Sequence, residues 1–141
     1  MARVLVVDDD ATIRQLLTFA FTMEGHTVET LSDGRGVVEA LQASAERVTV
    51  FMDVMMPHMD GLEVCRLLME EPALLSRHVI VLMSAGLIPG EPLPGAVRET
   101  LAKPFNLERA LLMVERLNAQ PAALATNETP SVDMGVPVRA V

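Results

Sequence analysis

The chain alternates short apolar runs with longer segments in which apolar residues recur every three or four positions. Val4 to Val7, Val48 to Met52 and Val79 to Met83 are rich in valine. They are too short for buried helices and suit strands covered on both faces. Between them lie segments of helical period. The first runs from about Ala11 to Glu24, with Ile13, Leu16, Leu17 and Ala20 in phase, Asp10 as N-cap and Gly25 as stop. His26 to Leu31 reads as a second strand, and Asp33 as the cap of a helix carrying Val37, Val38, Ala40 and Leu41. Asp60-Gly61-Leu62-Glu63 has the form of a capping box opening a third helix with Leu62, Cys65, Leu68 and Met69, closed or kinked by Pro72. Thr100 to Ala102 reads as a weak fifth strand. Asn106 caps a last helix with Leu107, Ala110, Leu111, Val114 and Leu117 on one face. Such alternation implies β-α units and a parallel α/β sheet.

The ends of the strands carry the chemistry. Val4 to Val7 stops at Asp8-Asp9-Asp10, Val48 to Met52 at Asp53, Val79 to Met83 at Ser84, and the fifth run at Lys103, the only lysine in the chain. In an open α/β sheet the carboxyl ends of parallel strands share one edge, where ligands bind. Adjacent carboxylates repel one another and call for a counter-charge. Oxygen donors of this kind suit a hard divalent cation, and a compact ammonium beside them suits an anion. Mg²⁺ with a phosphoryl group satisfies both. Asp53 is then the candidate nucleophile, exposed at a rigid strand end with a cation to shield it. Ser84 is a candidate donor to a phosphoryl oxygen, and Lys103, ahead of Pro104, a candidate partner for the same group. Met55 matters only for its backbone carbonyl, since Met52, Met55, Met56 and Met59 together read as gap-filling core. The histidines at 26, 58 and 78 have no ligand spacing and read as structural or surface residues.

Composition narrows the class. A chain of 141 residues fits one domain, and a formal charge of −8 disfavours nucleic acid as a direct partner. Cys65 is the only cysteine, which suits a reducing compartment. The first apolar run stops at three aspartates, unlike a signal peptide, and no stretch approaches the ~20 apolar residues that span a bilayer. A cytoplasmic protein without membrane contact is expected. Between Ser84 and Thr100 three prolines and three glycines argue against a full helix. Past about Asn118 periodicity is lost, which suggests a domain over residues 1–118 followed by a Pro/Ala-rich tail over 119–141.

Four motifs, in order, resemble the receiver domains of bacterial two-component response regulators: Val6-Val7-Asp8-Asp9-Asp10, Met52 to Gly61 around Asp53 and Pro57, Val81-Leu82-Met83-Ser84-Ala85, and Lys103-Pro104-Phe105. The resemblance covers about Arg3 to Leu117. It implies a flavodoxin-like (βα)5 fold with strand order 2-1-3-4-5. It also implies Asp53 as phosphoacceptor, with Mg²⁺ held directly by Asp9, largely through water by Asp8, and by Asp53 and the Met55 carbonyl. Ser84 and Lys103 would hold the phosphoryl group, with room left by Ala85. The expected partners are a histidine kinase or phosphotransfer protein and an unidentified output protein, with the chain a monomer or weak dimer. The chain is expected to act as a stand-alone receiver, no enzyme beyond its own phosphoryl transfer and slow autodephosphorylation. Two departures stand out: Thr100 occupies the position where the family usually has an aromatic residue or histidine, and the Pro/Gly-rich segment falls where the helix between the fourth and fifth strands belongs. With no ring to swing, phosphorylation is expected to act by reordering Ala85 to Glu99. The rival readings are a phosphorylation-independent interaction module and an aspartate-nucleophile phosphatase of the haloacid dehalogenase class. The latter wants a second Asp where Met55 stands.

Overall fold

The computed structural model describes residues 1–86 and 94–120. In chain order it contains β1 (Arg3–Val7), α1 (Ala11–Met23), β2 (Thr27–Leu31), α2 (Val37–Ala43), β3 (Val48–Asp53), α3 (Gly61–Met69), α4 (Pro72–Leu75), β4 (Val79–Ser84), β5 (Val97–Ala102) and α5 (Leu107–Ala119). The five strands pair in parallel in the order β2-β1-β3-β4-β5, the doubly wound order the motifs imply. The reading of an irregular helix between the fourth and fifth strands falls largely on residues 87–93, and the reading of a tail largely on 121–141; both stretches lie outside the described residues. No helix among the described residues is long and apolar enough to cross a membrane.

The sheet is covered on both faces, which is why its central strands are continuously apolar. Val4, Val6, Phe51, Val81, Met83 and Leu101 face α1 and α5. Leu5, Val7, Val50, Met52, Ile80 and Leu82 face α2 and α3. β3 is buried along its whole length. On α5, Ala110, Met113, Val114 and Leu117 are buried at helical spacing. On α1 the buried residues are Leu17, Ala20 and Phe21; Leu16, expected on the core face, is turned outward with 46% of its surface exposed.

Three of the four expected caps form. Asp10 accepts from the Thr12 amide and Asn106 from the Arg109 amide. Asp60 and Glu63 make a reciprocal capping box, each side chain bonding the other's backbone N–H at 2.9 Å. Asp33 does not cap α2. Its carboxylate is claimed by Arg35, through the amide at 2.8 Å and the guanidinium at 2.9 Å, and α2 begins one step later from Gly36 at φ 90°. Gly25, at φ 91°, ends α1 as expected. Pro72 neither closes nor kinks α3; it opens the single turn of α4, where its missing N–H costs nothing.

Two strand boundaries move. The second strand starts at Thr27, because the His26 amide donates to the Phe21 carbonyl at 3.1 Å at the end of α1; the His26 Nδ1 accepts from the Ala2 amide at 2.9 Å. The fifth starts at Val97 rather than Thr100. As an edge strand it pairs on one side only and needs no continuous apolar run, so Arg98 and Glu99 are tolerated. A register irregularity between Ile80 and Val81 accompanies this pairing. His78 matches His26 in use, accepting from the Val48 amide at 3.0 Å while burial pulls its pKa down. Neutral imidazole is the form that accepts.

The loop after β3 is held closely against the site. The Gly61 amide donates to the Val54 carbonyl at 2.9 Å, and a Cβ on Gly61 would meet the Asp53 carbonyl oxygen at 2.5 Å. The obstacle is backbone, which cannot swing aside. Gly61→Ala is therefore expected to destabilise the fold by about 1–3 kcal/mol, in the range of overpacking, measured by urea denaturation. A variant as stable as the wild type would contradict this packing.

Candidate functional site

The register of the sheet assembles the strand-end residues. Val7 is the partner of Met52, so Asp8 and Asp53 follow side by side from neighbouring strands. Asp53 is the partner of Met83 and Ser84 the partner of Ala102, which brings Ser84 and Lys103 to the same edge. The Lys103 amide donates to the Ser84 carbonyl at 2.7 Å, extending the ladder to the lysine itself. The Lys103–Pro104 peptide bond is cis.

One carboxylate oxygen from each of Asp8, Asp9 and Asp53 lies within 4.8 Å of the others. Lys103 Nζ contacts Asp8 Oδ2 at 2.8 Å and Asp53 Oδ1 at 3.4 Å. The four charged residues read from the strand ends thus form one cluster. Their environments differ. Asp8 is buried, with its other oxygen accepting from the Asp10 amide at 2.9 Å. Asp9 is exposed, and no described residue hydrogen-bonds to its side chain. Asp53, expected to be exposed at its strand end, is instead buried, with 8% of its surface exposed, because β3 lies in the middle of the sheet with strands on both sides. Met55, two residues on, lies on the exposed loop.

Ser84 sits at the edge of this cluster but is engaged locally. Its hydroxyl donates to the Gly86 carbonyl at 2.6 Å and accepts from the Gly86 amide at 3.2 Å, the local bonding that serine offers at a strand end. Thr100, on β5 short of Lys103, is exposed. A residue the sequence did not flag is Arg14, whose Nη1 donates to the Asp8 backbone carbonyl at 2.7 Å. On a helix, an arginine reads as a solvated face; nothing in its spacing reveals a reach back to the preceding turn. The surface cleft of about 500 Å³ beside α1, lined by Arg14, Thr18, Phe19 and Met23 among others, lies along the helix rather than at the carboxylates.

The charges explain the shifts. Burial and then the Asp8 carboxylate push the Asp53 pKa above its ordinary value, with Lys103 opposing. Burial works against the Lys103 ammonium, but hydrogen bonding and charge from Asp8 and Asp53 outweigh it, and its pKa is raised. The raised Asp53 pKa means that folding favours the protonated acid. That contribution is complete below the unfolded carboxylate value and is lost as pH rises through the folded one. At neutral pH the ionised Asp53 is therefore a cost to the metal-free fold, whereas the lysine bridge persists until pH passes the raised Lys103 value. Opposite outcomes are expected in metal-free buffer at pH 7. Asp53→Asn should raise the melting temperature, and Lys103→Met should lower stability by about 3 kcal/mol, the cost of stranding a buried charge. Calorimetric melts showing both variants shifted the same way would contradict this balance.

The comparisons with known proteins agree with this geometry. The response regulator receiver domain profile matches residues 4–115. The transcriptional regulatory protein TcrA of Mycobacterium tuberculosis is 36% identical over 118 residues, covering 82% of this chain and 46% of that protein. The response regulator MprA of Mycobacterium ulcerans is 40% identical over 133 residues, covering 86% and 54%. The chain thus spans about half the length of these curated relatives. Among solved structures, the chemotaxis protein CheY4 of Vibrio cholerae superposes with a TM-score of 0.71 at 30% identity, over 82% of this chain and 98% of that one. The response regulator TrrA of Thermotoga maritima, solved in complex with Mg²⁺-BeF, gives 0.70 at 28% identity, over 83% and 99%. Strand order, strand-end chemistry and a profile match across most of its length converge: the chain belongs to the response regulator receiver domain family.

Proposed function

We propose that the chain is the phosphoacceptor of a two-component phosphorelay, taking a phosphoryl group onto Asp53 from a histidine kinase or phosphotransfer protein. The observation that carries this reading is the placement of Asp53. It ends a fully buried strand, is itself only 8% exposed, and Asp8, Asp9 and Lys103 converge on it. Asp8 and Asp9, with Asp53 and the Met55 carbonyl, are the residues that would hold Mg²⁺. Three carboxylate oxygens this close, with no sulfur or imidazole among them, fit a hard cation. When bound, Mg²⁺ would supply positive charge to offset that of the phosphoryl oxygens.

The chain's own residues do the rest. An Asp53 oxygen attacks phosphorus in line; the O–P bond forms as the donor's N–P bond breaks, leaving an acyl phosphate and a free imidazole. Catalysis is positioning and charge neutralisation. Lys103, already 3.4 Å from Asp53, follows the transferred group as a point charge. Ser84 exchanges its bonds to Gly86 for one to a phosphoryl oxygen. The small Ala85 leaves that group room. The chain turns over no external substrate on this reading; it modifies itself, loses the group by slow hydrolysis and changes its affinity for an output protein.

Docking of the donor falls to α1. Its first residue follows the acidic turn directly, and Leu16, Phe19 and Met23 form an exposed apolar stripe, with Phe19 65% and Met23 69% exposed. A donor helix laid along that stripe brings its phosphohistidine to Asp53.

Incubation with acetyl phosphate and Mg²⁺ is expected to add one phosphoryl group to the wild type and none to Asp53→Asn, read by intact mass. Equal labelling of the variant would remove Asp53 from the role. Asp9→Ala is expected to weaken Mg²⁺ binding more than Asp8→Ala, because Asp9 is exposed and has no hydrogen-bond partner among the described residues, while both Asp8 oxygens are taken. Isothermal titration showing the reverse order would contradict that division of labour.

A further inference from the structure

Asp9 is the outermost carboxylate of the site, yet its backbone is tightly bracketed. The Asp8 amide donates to the Leu31 carbonyl at 3.1 Å, and Asp8 Oδ1 accepts from the Asp10 amide at 2.9 Å. Asp10 in turn caps α1. Arg14 closes the bracket from both sides: its amide donates to the Asp10 carbonyl at 3.1 Å and its guanidinium to the Asp8 carbonyl at 2.7 Å. The residues before and after Asp9 are therefore held by one arginine, while the Asp9 carboxylate is left unbonded among the described residues.

We infer that Arg14 is a positioning residue for the cation site, fixing the turn so that the Asp9 carboxylate is presented to a divalent ion without further ordering. The inference rests on the phosphoacceptor reading and assigns a part of that site to a residue outside the strand-end set. Partners that orient a metal ligand typically change affinity by about 10- to 100-fold when removed. Arg14 also acts with the opposite sign. It is a positive charge near an incoming cation, and as a charge alone it weakens binding. The direction of change on removing it separates the two roles.

The experiment is Mg²⁺ titration by calorimetry at 25 °C on wild type, Arg14→Ala and Arg14→Gln, each confirmed folded by circular dichroism. Arg14→Ala is expected to bind Mg²⁺ about 10-fold more weakly. Arg14→Gln, which is neutral but keeps an N–H donor, is expected to recover part of the loss and serves alone if the alanine variant does not fold. A purely structural role would lower the melting temperature and leave the affinity of the folded protein unchanged. Unchanged or tighter binding by both folded variants, with wild-type binding intact, overturns the inference and leaves the phosphoacceptor reading standing. No Mg²⁺ binding by the wild type overturns both.

Discussion

The bridge from Lys103 to Asp8 and Asp53 is the interaction on which the site depends. Asp8 is buried beside a second carboxylate, an arrangement that like charges resist. One ammonium, 2.8 Å from Asp8 and 3.4 Å from Asp53, makes it tolerable. Burial first, and then the Asp8 carboxylate, still hold Asp53 above its ordinary pKa. Three carboxylates against one ammonium leave a site with more negative charge than its own cation cancels, ready for a divalent ion, and a lysine whose weaker contact is with the carboxylate proposed to be modified.

The sheet makes such a cluster possible. Parallel strands bring every carboxyl end to one edge, and two covered faces keep the central strands rigid up to their last residue. The charged groups therefore sit at the rim of a packed core rather than on mobile loops. Backbone bonds carry that rigidity into the site. Lys103 is tied through its amide to Ser84, the Val54 amide to Met83, and Gly61 lies so close to Asp53 that no side chain fits between them.

Most of this was legible in the sequence because it is periodic or terminal. Buried parallel strands are predominantly apolar, so the polar residue that ends each run marks the shared edge: Asp8, Asp53 and Ser84 are found that way, while Lys103 stands out as the only lysine, after the short pair Leu101-Ala102. Capping residues are legible when nothing nearby competes, as at Asp10, Asp60 and Asn106. Asp33 misled because Arg35, two residues away, offers a stronger partner than a helix amide. Edge strands are harder: β5 pairs on one side, its second and third residues, Arg98 and Glu99, are charged, and the glycines and prolines before it hide its start. Arg14 was invisible because its contact with Asp8 depends on where α1 leaves the strand, which spacing along the chain does not encode. The likeness to TcrA and MprA covers about half of each relative, so it identifies the receiver domain without naming what the domain controls.

The central claim is that Asp53 carries the phosphoryl group as an acyl phosphate. Borohydride trapping tests it at the level of the bond, because reduction converts an aspartyl phosphate to homoserine while leaving free aspartate and phosphoserine untouched. After reaction with acetyl phosphate and Mg²⁺, reduction and peptide sequencing by mass spectrometry, homoserine is expected at position 53 and at neither Asp8 nor Asp9. Homoserine at another aspartate, or a phosphoryl group that survives reduction on a hydroxyl side chain, would contradict the account.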